Sequence, residues 1–455
     1  MYYSICFENT TAQRSKNTLL KQNFPSIGLF SPFFHKTLVL VYNNTMSIVG
    51  IIAEYNPFHN GHEYHLKAAK ELSGASHAIV VMSGDFVQRG EPAMFDKHLR
   101  AKWALENGAD MVLLLPTVFS IASAQAFASG GVGILHGTGI VDSIAFGSES
   151  GDTTALQMAA RMADDESPAL KELIKANLRS GLSYPDARSK AWSQHTGKST
   201  LLSSPNDILG IEYIRALNAL SSSISPIAVP RTGPEHDSPE FISGFASASA
   251  IRSILLKGEC HKGLVPGSVH KDMIAAFDTG LAPRTPDYLS RETIYALRCM
   301  TKEQLKALPD VSEGLENLLY SACRQCSDIA DLLAQIKSRR YTMARLKRIC
   351  MCALLGIYGN PMSQLDGLYI RVLGIRKDAL HLLSLLNEKA DLPIISRYGD
   401  HERLSPAQRS LMDKDILSAD IAALSTARPL PARFDFSQPL AHPHTPAEIV
   451  WPTQD

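Results

Sequence analysis

The chain has 455 residues, with 45 Lys+Arg against 45 Asp+Glu and a formal net charge of zero, so it is not a highly basic chain, although a local basic patch remains open to it. Hydrophobic residues make up 45% and charged residues 20%, the balance of an ordinary globular protein long enough for two or three domains. Seven cysteines in this length argue against a disulfide scaffold, and no apolar run approaches the roughly 18 residues of a membrane span; a reducing cytoplasm is the expected setting, with no membrane partner.

Residues 1–45 show no sustained period and no clear caps, and read as an upstream leader or a mis-assigned start, with an ordered arm as the alternative. The stretch "HKTLVLVYNN" lacks the charged flank and cleavage site of a signal peptide. From Met46 the pattern alternates. "SIVGIIA" is a continuous apolar run, as in a strand buried on both faces, and "HEYHLKAAKELS" has helical spacing. "HAIVVMS" and "DMVLLLP" are two more strands, with "DKHLRAKWALENG" a helix between them. "SAQAFASGGVGILHG" reads as a helix and "VDSIAFG" as a fourth strand. "SPNDILGIEYIRALNAL" is an amphipathic helix behind Ser204, "ISPIAVPR" a last strand, and "ASASAIRSILLKG" opens another helix. Alternation of this kind gives βαβ units, hence an α/β fold with a parallel sheet over residues 46–255. Beyond about residue 256 helix-like segments dominate, so a mainly α-helical domain is expected over 256–430, followed by a proline-rich extended tail over 431–455.

The stretch "NPFHNGH" falls where the first strand hands over to a helix, the end at which parallel sheets hold ligands. His59 and His62 can donate to phosphate oxygens, Gly61 lets a ligand approach the backbone, and the helix start offers N–H groups and a positive dipole end. The alternative is a pair of capping or surface histidines. No G-x-x-x-x-G-K-[ST] is present, which argues against a P-loop enzyme. Further on, "SASAIRS" places Ser247, Ser249 and Arg252 at a helix start, either as phosphate ligands or as an ordinary cap with a surface arginine. In "MSGDFVQRGEPAMFDKHLRAKW", Asp85, Gln88, Arg89 and Glu91 read equally as a substrate pocket or as an ion network that stiffens a loop; Asp96 and Lys97 read as helix-start charges. "KSRRYTMARLKR" gathers Lys337, Arg339, Arg340, Arg345, Lys347 and Arg348 around Tyr341, which suits RNA phosphates and an unstacked base; a solvated helix face is the alternative. Cys323 and Cys326, with Cys350 and Cys352 downstream, read as buried thiols rather than a zinc site.

Together "GIIAEYNPFHNGHEYHL", "VMSGDFVQRGEPA", "FGSES", "SPNDILGIEYI", "SASAIR", "RRYTMARLKRICMCALLGI" and "LYIRVLGIRKDA" resemble the bacterial tRNA(Met) cytidine acetate ligase family, within the H-x-G-H nucleotidylyltransferase superfamily. The resemblance implies an HUP-type Rossmann-like domain. It implies ATP-dependent transfer of acetate to the wobble cytidine of elongator tRNA(Met) through acetyl-adenylate, giving N4-acetylcytidine, AMP and pyrophosphate. His59 and His62 would then be the catalytic pair. ATP binding would fall on Ile52, Ala53, Glu54, Tyr55, Asn56, Pro57, Phe58, His59, Asn60, Gly61, His62, Glu63, Tyr64 and His65. It would also fall on Gly147, Asn206 and Arg231, with Ser247, Ser249 and Arg252 opposite. Magnesium would accompany ATP without a dedicated protein cage. Leu114 and Gln125 stand where acidic residues are expected in the family, a departure that bears on magnesium or tRNA rather than on the ATP site. The main rival is a small-molecule adenylyltransferase of the same superfamily. A tRNA-binding protein with a degenerate nucleotide fold is disfavoured by intact His59, Gly61 and His62, and a class I tRNA synthetase by the missing K-M-S-K-S loop.

Overall fold

The structure, a computed structural model, describes residues 46–164, 167–182, 184–196, 204–231, 244–259, 262–395, 398–432 and residue 435. The leader expected over residues 1–45 and most of the tail beyond 432 lie outside the described residues.

The strands are β1 (Ile48–Ala53), β2 (His77–Ser83), β3 (Phe86–Val87), β4 (Glu91–Pro92), β5 (Met111–Leu115), β6 (Ser143–Ser148), β7 (Ser225–Pro230), β8 (Ile370–Ile375) and β9 (Ile394–Ile395). Seven of them form one sheet in the order β7-β6-β1-β2-β5-β8-β9. Among themselves β1, β2, β5, β6 and β7 pair only in parallel, which makes this a Rossmann-like sheet with its order reversing between β1 and β6. The helices that bear on the site are α1 (Asn60–Ser73), α2 (Lys97–Glu106), α3 (Pro205–Ala219), α4 (Ala248–Leu256), α5 (Met343–Leu355) and α6 (Pro406–Ala422).

The apolar runs become strands because both faces of the sheet are covered. Ile79 and Val81 of β2 point into one buried cluster with Leu113, Phe119 and Leu135, while Val80 and Met82 point into the other with Leu66, Trp103 and Ile251. The first cluster runs on without a break into the helical segments, through Leu319, Leu346 and Ile349.

The helical reading of the C-terminal half needs correction. β8 lies within it and pairs antiparallel with β5, and β9 follows β8 in parallel. The expected boundary near residue 256 therefore does not part the sheet, and Met46–Asp455 is one compact unit. β8 is short, fully buried and apolar but for Arg371, a pattern that a buried helix segment shares. The segment between β6 and β7 also holds helices that the sequence reading passed over, Thr153–Asp164, Pro168–Arg179 and Tyr184–Thr196.

Candidate functional site

β1 ends at Ala53, and the next six residues carry the chain to α1. His59 is the N-cap of α1: its Nδ1 accepts from the Gly61 N–H at 3.1 Å, and the His62 Nδ1 accepts from the His59 N–H at 3.3 Å. This is a capping box built from two imidazoles. The rings stack with centroids 3.7 Å apart, and Tyr55 and Phe58 pack against His62 at 4.8 and 5.6 Å. Because both Nδ1 atoms accept, both neutral rings carry their proton on Nε2, the atom that can then donate to a ligand. Gly61 serves the ring as much as any ligand: a β-carbon there would stand 2.9 Å from the His59 Cε1.

The expectation of free N–H groups at the start of α1 is corrected by the same geometry. The Asn60 N–H donates to the Leu264 carbonyl at 3.2 Å and the Gly61 N–H to His59. A phosphate must meet the imidazole Nε2 atoms, or displace the His59 ring, before it reaches the helix. Glu63 and Tyr64 are exposed on α1, away from the buried turn of Tyr55–Phe58. Ile52 is half-buried and packs on Gly131, so its contribution is structural.

Gly147, Asn206 and Arg231 meet at the ends of β6 and β7. The Arg231 N–H donates to the Ser148 carbonyl at 3.0 Å, and a β-carbon on Gly147 would lie 3.6 Å from the Arg231 Cγ. Asn206 Nδ2 donates to Glu149 at 2.6 Å, while Glu149 also accepts from the Asp207 N–H at 3.0 Å and so closes the start of α3. Buried Asp207 accepts from the Ser148 hydroxyl and the Ser150 N–H, which fixes the loop after β6. Burial, reinforced by the charge of Arg231, lowers the His65 pKa to about 4, so His65 is a neutral wall between α1 and this corner.

The two phosphate motifs come into direct contact. Ser247 N-caps α4, accepting from the Ala250 N–H at 3.1 Å, and its hydroxyl lies 3.3 Å from that of Ser249. One turn on, Arg252 Nη1 donates to the Asn56 carbonyl at 2.7 Å, across 196 residues of sequence. Asn56 Oδ1 in turn accepts from the Met94 N–H at 2.8 Å. Three buried polar atoms at these strand ends, Tyr55 Oη, Asn56 Nδ2 and Ser83 Oγ, find no hydrogen-bond partner among the described residues.

Sequence reasoning missed Arg100. It is fully buried, and its guanidinium donates to the carbonyls of Glu54 (2.6 Å), Ser83 (3.0 Å), Phe95 (3.0 Å) and Gly84, which ties together the ends of β1 and β2. Burial lowers its pKa to about 10. Lys97 opens α2 behind the Asp96 N-cap, as its reading as a helix-start charge expects, but it is only 2% exposed. Lys97 pairs with Asp85 at 2.5 Å and Asp435 at 2.6 Å; Arg284 joins Asp85 to Asp96, both at 2.9 Å, and Arg371 reaches Asp435 at 2.7 Å. Burial opposes the Lys97 charge, but Asp435 and Asp85 outweigh it and raise its pKa. Asp85 thus belongs to an ion network rather than to an open pocket. Gln88 donates its N–H to Glu54 at 2.8 Å, Arg89 is half-buried, and Glu91 stands between Arg252 and Lys347.

The basic segment divides. Arg339 and Arg340 are exposed before α5. Lys337 caps the Tyr341 carbonyl; Arg345 binds the Asp310 carbonyl at 2.6 Å, and Arg348 the Asp310 carboxylate at 2.9 Å. Tyr341 is buried with Arg345 over its ring, so it is no platform for a base as it stands. Cys323, Cys326, Cys350 and Cys352 are all buried, and burial pushes the Cys350 thiol up to about 12. Among the described residues no group of three or more His, Cys, Asp or Glu could hold a metal ion, and no helix is long and apolar enough to cross a membrane.

Residues 46–433 match the model of the HIGH Nucleotidyl Transferase family. The tRNA(Met) cytidine acetate ligase of Acetivibrio thermocellus is 36% identical over 399 residues, covering 84% of this chain and 96% of its own length. That of Thermoanaerobacter sp. strain X514 is 38% identical, covering 87% and 99%. The chain belongs to the tRNA(Met) cytidine acetate ligase family. The crystal structure of Thermotoga maritima TmcAL without ligand superposes with a TM-score of 0.81 at 30% identity, covering 87% of this chain and 99% of that one. A second structure, of the Thermotoga ligase bound with alpha-thio ATP, superposes with a TM-score of 0.79. The family places this chain among nucleotidyl transferases, and its H-x-G-H residues are His59, Gly61 and His62.

Proposed function

We propose that this protein is an ATP-dependent acetate ligase that converts the wobble cytidine of elongator tRNA(Met) to N4-acetylcytidine, working in the cytoplasm. The observation that carries the reading is the contact between the two phosphate motifs, Arg252 on the Asn56 carbonyl, beside the His59–His62 stack at the end of β1. Relatives that match this chain over nearly their whole length bear the ligase name.

In the first half-reaction a carboxylate oxygen of acetate attacks the α-phosphorus of ATP, the bond to the bridging oxygen breaks, and pyrophosphate leaves. The chain's task is to hold that geometry and offset the charge on the departing phosphates. The His59 and His62 Nε2–H groups face this task from α1, Ser247, Ser249 and Arg252 from α4, and Gly147, Asn206 and Arg231 hold the nucleoside end. In the second half-reaction the cytidine N4 attacks the acetyl carbonyl, AMP leaves and N4 loses a proton. Magnesium, carried on the phosphate oxygens, would add positive charge there; the described residues offer it no cage of their own. We assign residues 46–255 to the nucleotide and acetate chemistry and 256–430 to the RNA, with Lys337, Arg339, Arg340 and Lys347 as its basic face and Arg345 and Arg348, held on Asp310, bracing it.

The test is incubation with ATP, magnesium, labelled acetate and bulk tRNA, then nucleoside analysis. Label in N4-acetylcytidine, lost in His59→Ala and His62→Ala, is the expected result. Pyrophosphate release with a small-molecule acceptor and no labelled nucleoside would instead make the protein an adenylyltransferase.

A further inference from the structure

The hairpin β3–β4 carries one acidic side chain, Glu91, into the space between α4 and α5. One oxygen of its carboxylate lies 3.2 Å from the Lys347 Nζ, and the other 3.8 Å from the Arg252 guanidinium. The side chains of Arg252 and Glu91 are 13% and 16% exposed and that of Lys347 31%, so the three charges act on each other with little intervening solvent. The spacing is held by backbone: Gly90, with φ +74°, packs on the Lys347–Arg348 backbone of α5, and the Gln88 N–H is fixed by Glu54. A cation assigned to the triphosphate and a cation assigned to the RNA therefore share one acceptor.

We propose that Glu91 is a positioning residue that makes triphosphate and tRNA binding mutually antagonistic, and so orders the two half-reactions. The inference rests on the assignments of Arg252 and Lys347 above. A triphosphate draws Arg252 away from Glu91, and the carboxylate, left with Lys347 alone, holds it more tightly and withholds it from an RNA phosphate. When pyrophosphate departs, Arg252 returns to Glu91 and Lys347 is released to the RNA. By linkage the effect is reciprocal, and tRNA weakens triphosphate binding by the same factor.

The experiment measures tRNA affinity for the full chain with and without a saturating non-hydrolysable ATP analogue, acetate being absent. Wild-type protein is expected to bind tRNA roughly fivefold more weakly with the analogue, the low end for a coupling between sites. AMP, which lacks the β- and γ-phosphates, is expected to leave affinity unchanged. Glu91→Gln keeps the shape but removes the charge, and is expected to bring the analogue's effect close to one while its melting temperature stays near wild type. Equal tRNA affinity with and without the analogue in wild type would overturn the proposal, as would full antagonism in Glu91→Gln. Lys347→Ala separates the layers. If it weakens tRNA binding but wild type shows no coupling, only the Glu91 proposal falls. If it leaves tRNA binding untouched, the RNA assignment of Lys347 falls and the coupling with it.

Discussion

Gly90 and Arg348 are in backbone contact: a β-carbon on Gly90 would stand 2.3 Å from the Arg348 amide nitrogen and 2.6 Å from the Lys347 carbonyl carbon. The tip of a two-strand hairpin on the nucleotide side is thus seated on the helix that carries the basic residues. Gly90→Ala has to pay for both a positive φ and a backbone clash. The expected cost is about 2–4 kcal/mol, read as a lower denaturation midpoint, with a larger loss in tRNA acetylation than in ATP binding.

Lys97 is sandwiched between Asp85 and Asp435, all nearly inaccessible. Lys97→Met leaves two buried carboxylates short of a cation, and unfolding is expected to become easier by about 3–5 kcal/mol in denaturant titration. Adding Asp85→Asn to the same chain should restore part of that loss, because one of the two stranded charges is then gone.

How far the sequence disclosed this architecture depended on distance along the chain. The turn from β1 to α1 was legible because a continuous apolar run, a histidine cap and a helical period follow one another within about 25 residues. The strands β3 and β4 were not, since two residues carry no period. β8 was hidden because its partner β5 lies some 260 residues earlier and its apolar run also fits a buried helix. Lys97 read as a helix-start charge because its helix neighbour His98 and the shared partner Asp435 are 337 residues apart. The nucleotide corner of Gly147, Asn206 and Arg231 came through the family motifs; their meeting point follows only from the pairing of β6 with β7.

Asp415 on α6 supplies a pH test. It accepts from the Thr117 N–H at 2.6 Å and from the Tyr369 hydroxyl, and burial raises its pKa from 3.8 to about 6 against the pull of these bonds. A carboxyl that binds its proton more tightly when folded adds stability that is complete below about pH 4 and lost as pH rises through about 6. Wild type compared with Asp415→Asn should therefore fare better at pH 4.5 than at pH 7.5, by an amount on the order of 2 kcal/mol. An equal difference at both pH values would show that Asp415 titrates normally.

Lys337, Arg339 and Arg340 are exposed in the basic segment, Lys337 with its ammonium on the Tyr341 carbonyl, whereas Arg345 and Arg348 are spent on Asp310. Arg339→Ala and Arg340→Ala are expected to weaken tRNA binding without lowering the melting temperature. Each should reduce the slope of log affinity against log salt by about 0.7–0.9. Arg348→Ala should lower stability as well, which filter binding and thermal melts on the same preparations would separate.

In the proposed reaction, acetate is activated by ATP at the His59–His62 stack before any RNA is needed. Its most direct measurement is the exchange of labelled pyrophosphate into ATP without tRNA, with acetate present or withheld, in wild type and in His62→Asn. Exchange is expected to require acetate and to fall by a factor on the order of 10²–10³ in the variant. Exchange that ignores acetate, that appears only with tRNA, or that survives in His62→Asn would contradict the proposed reaction.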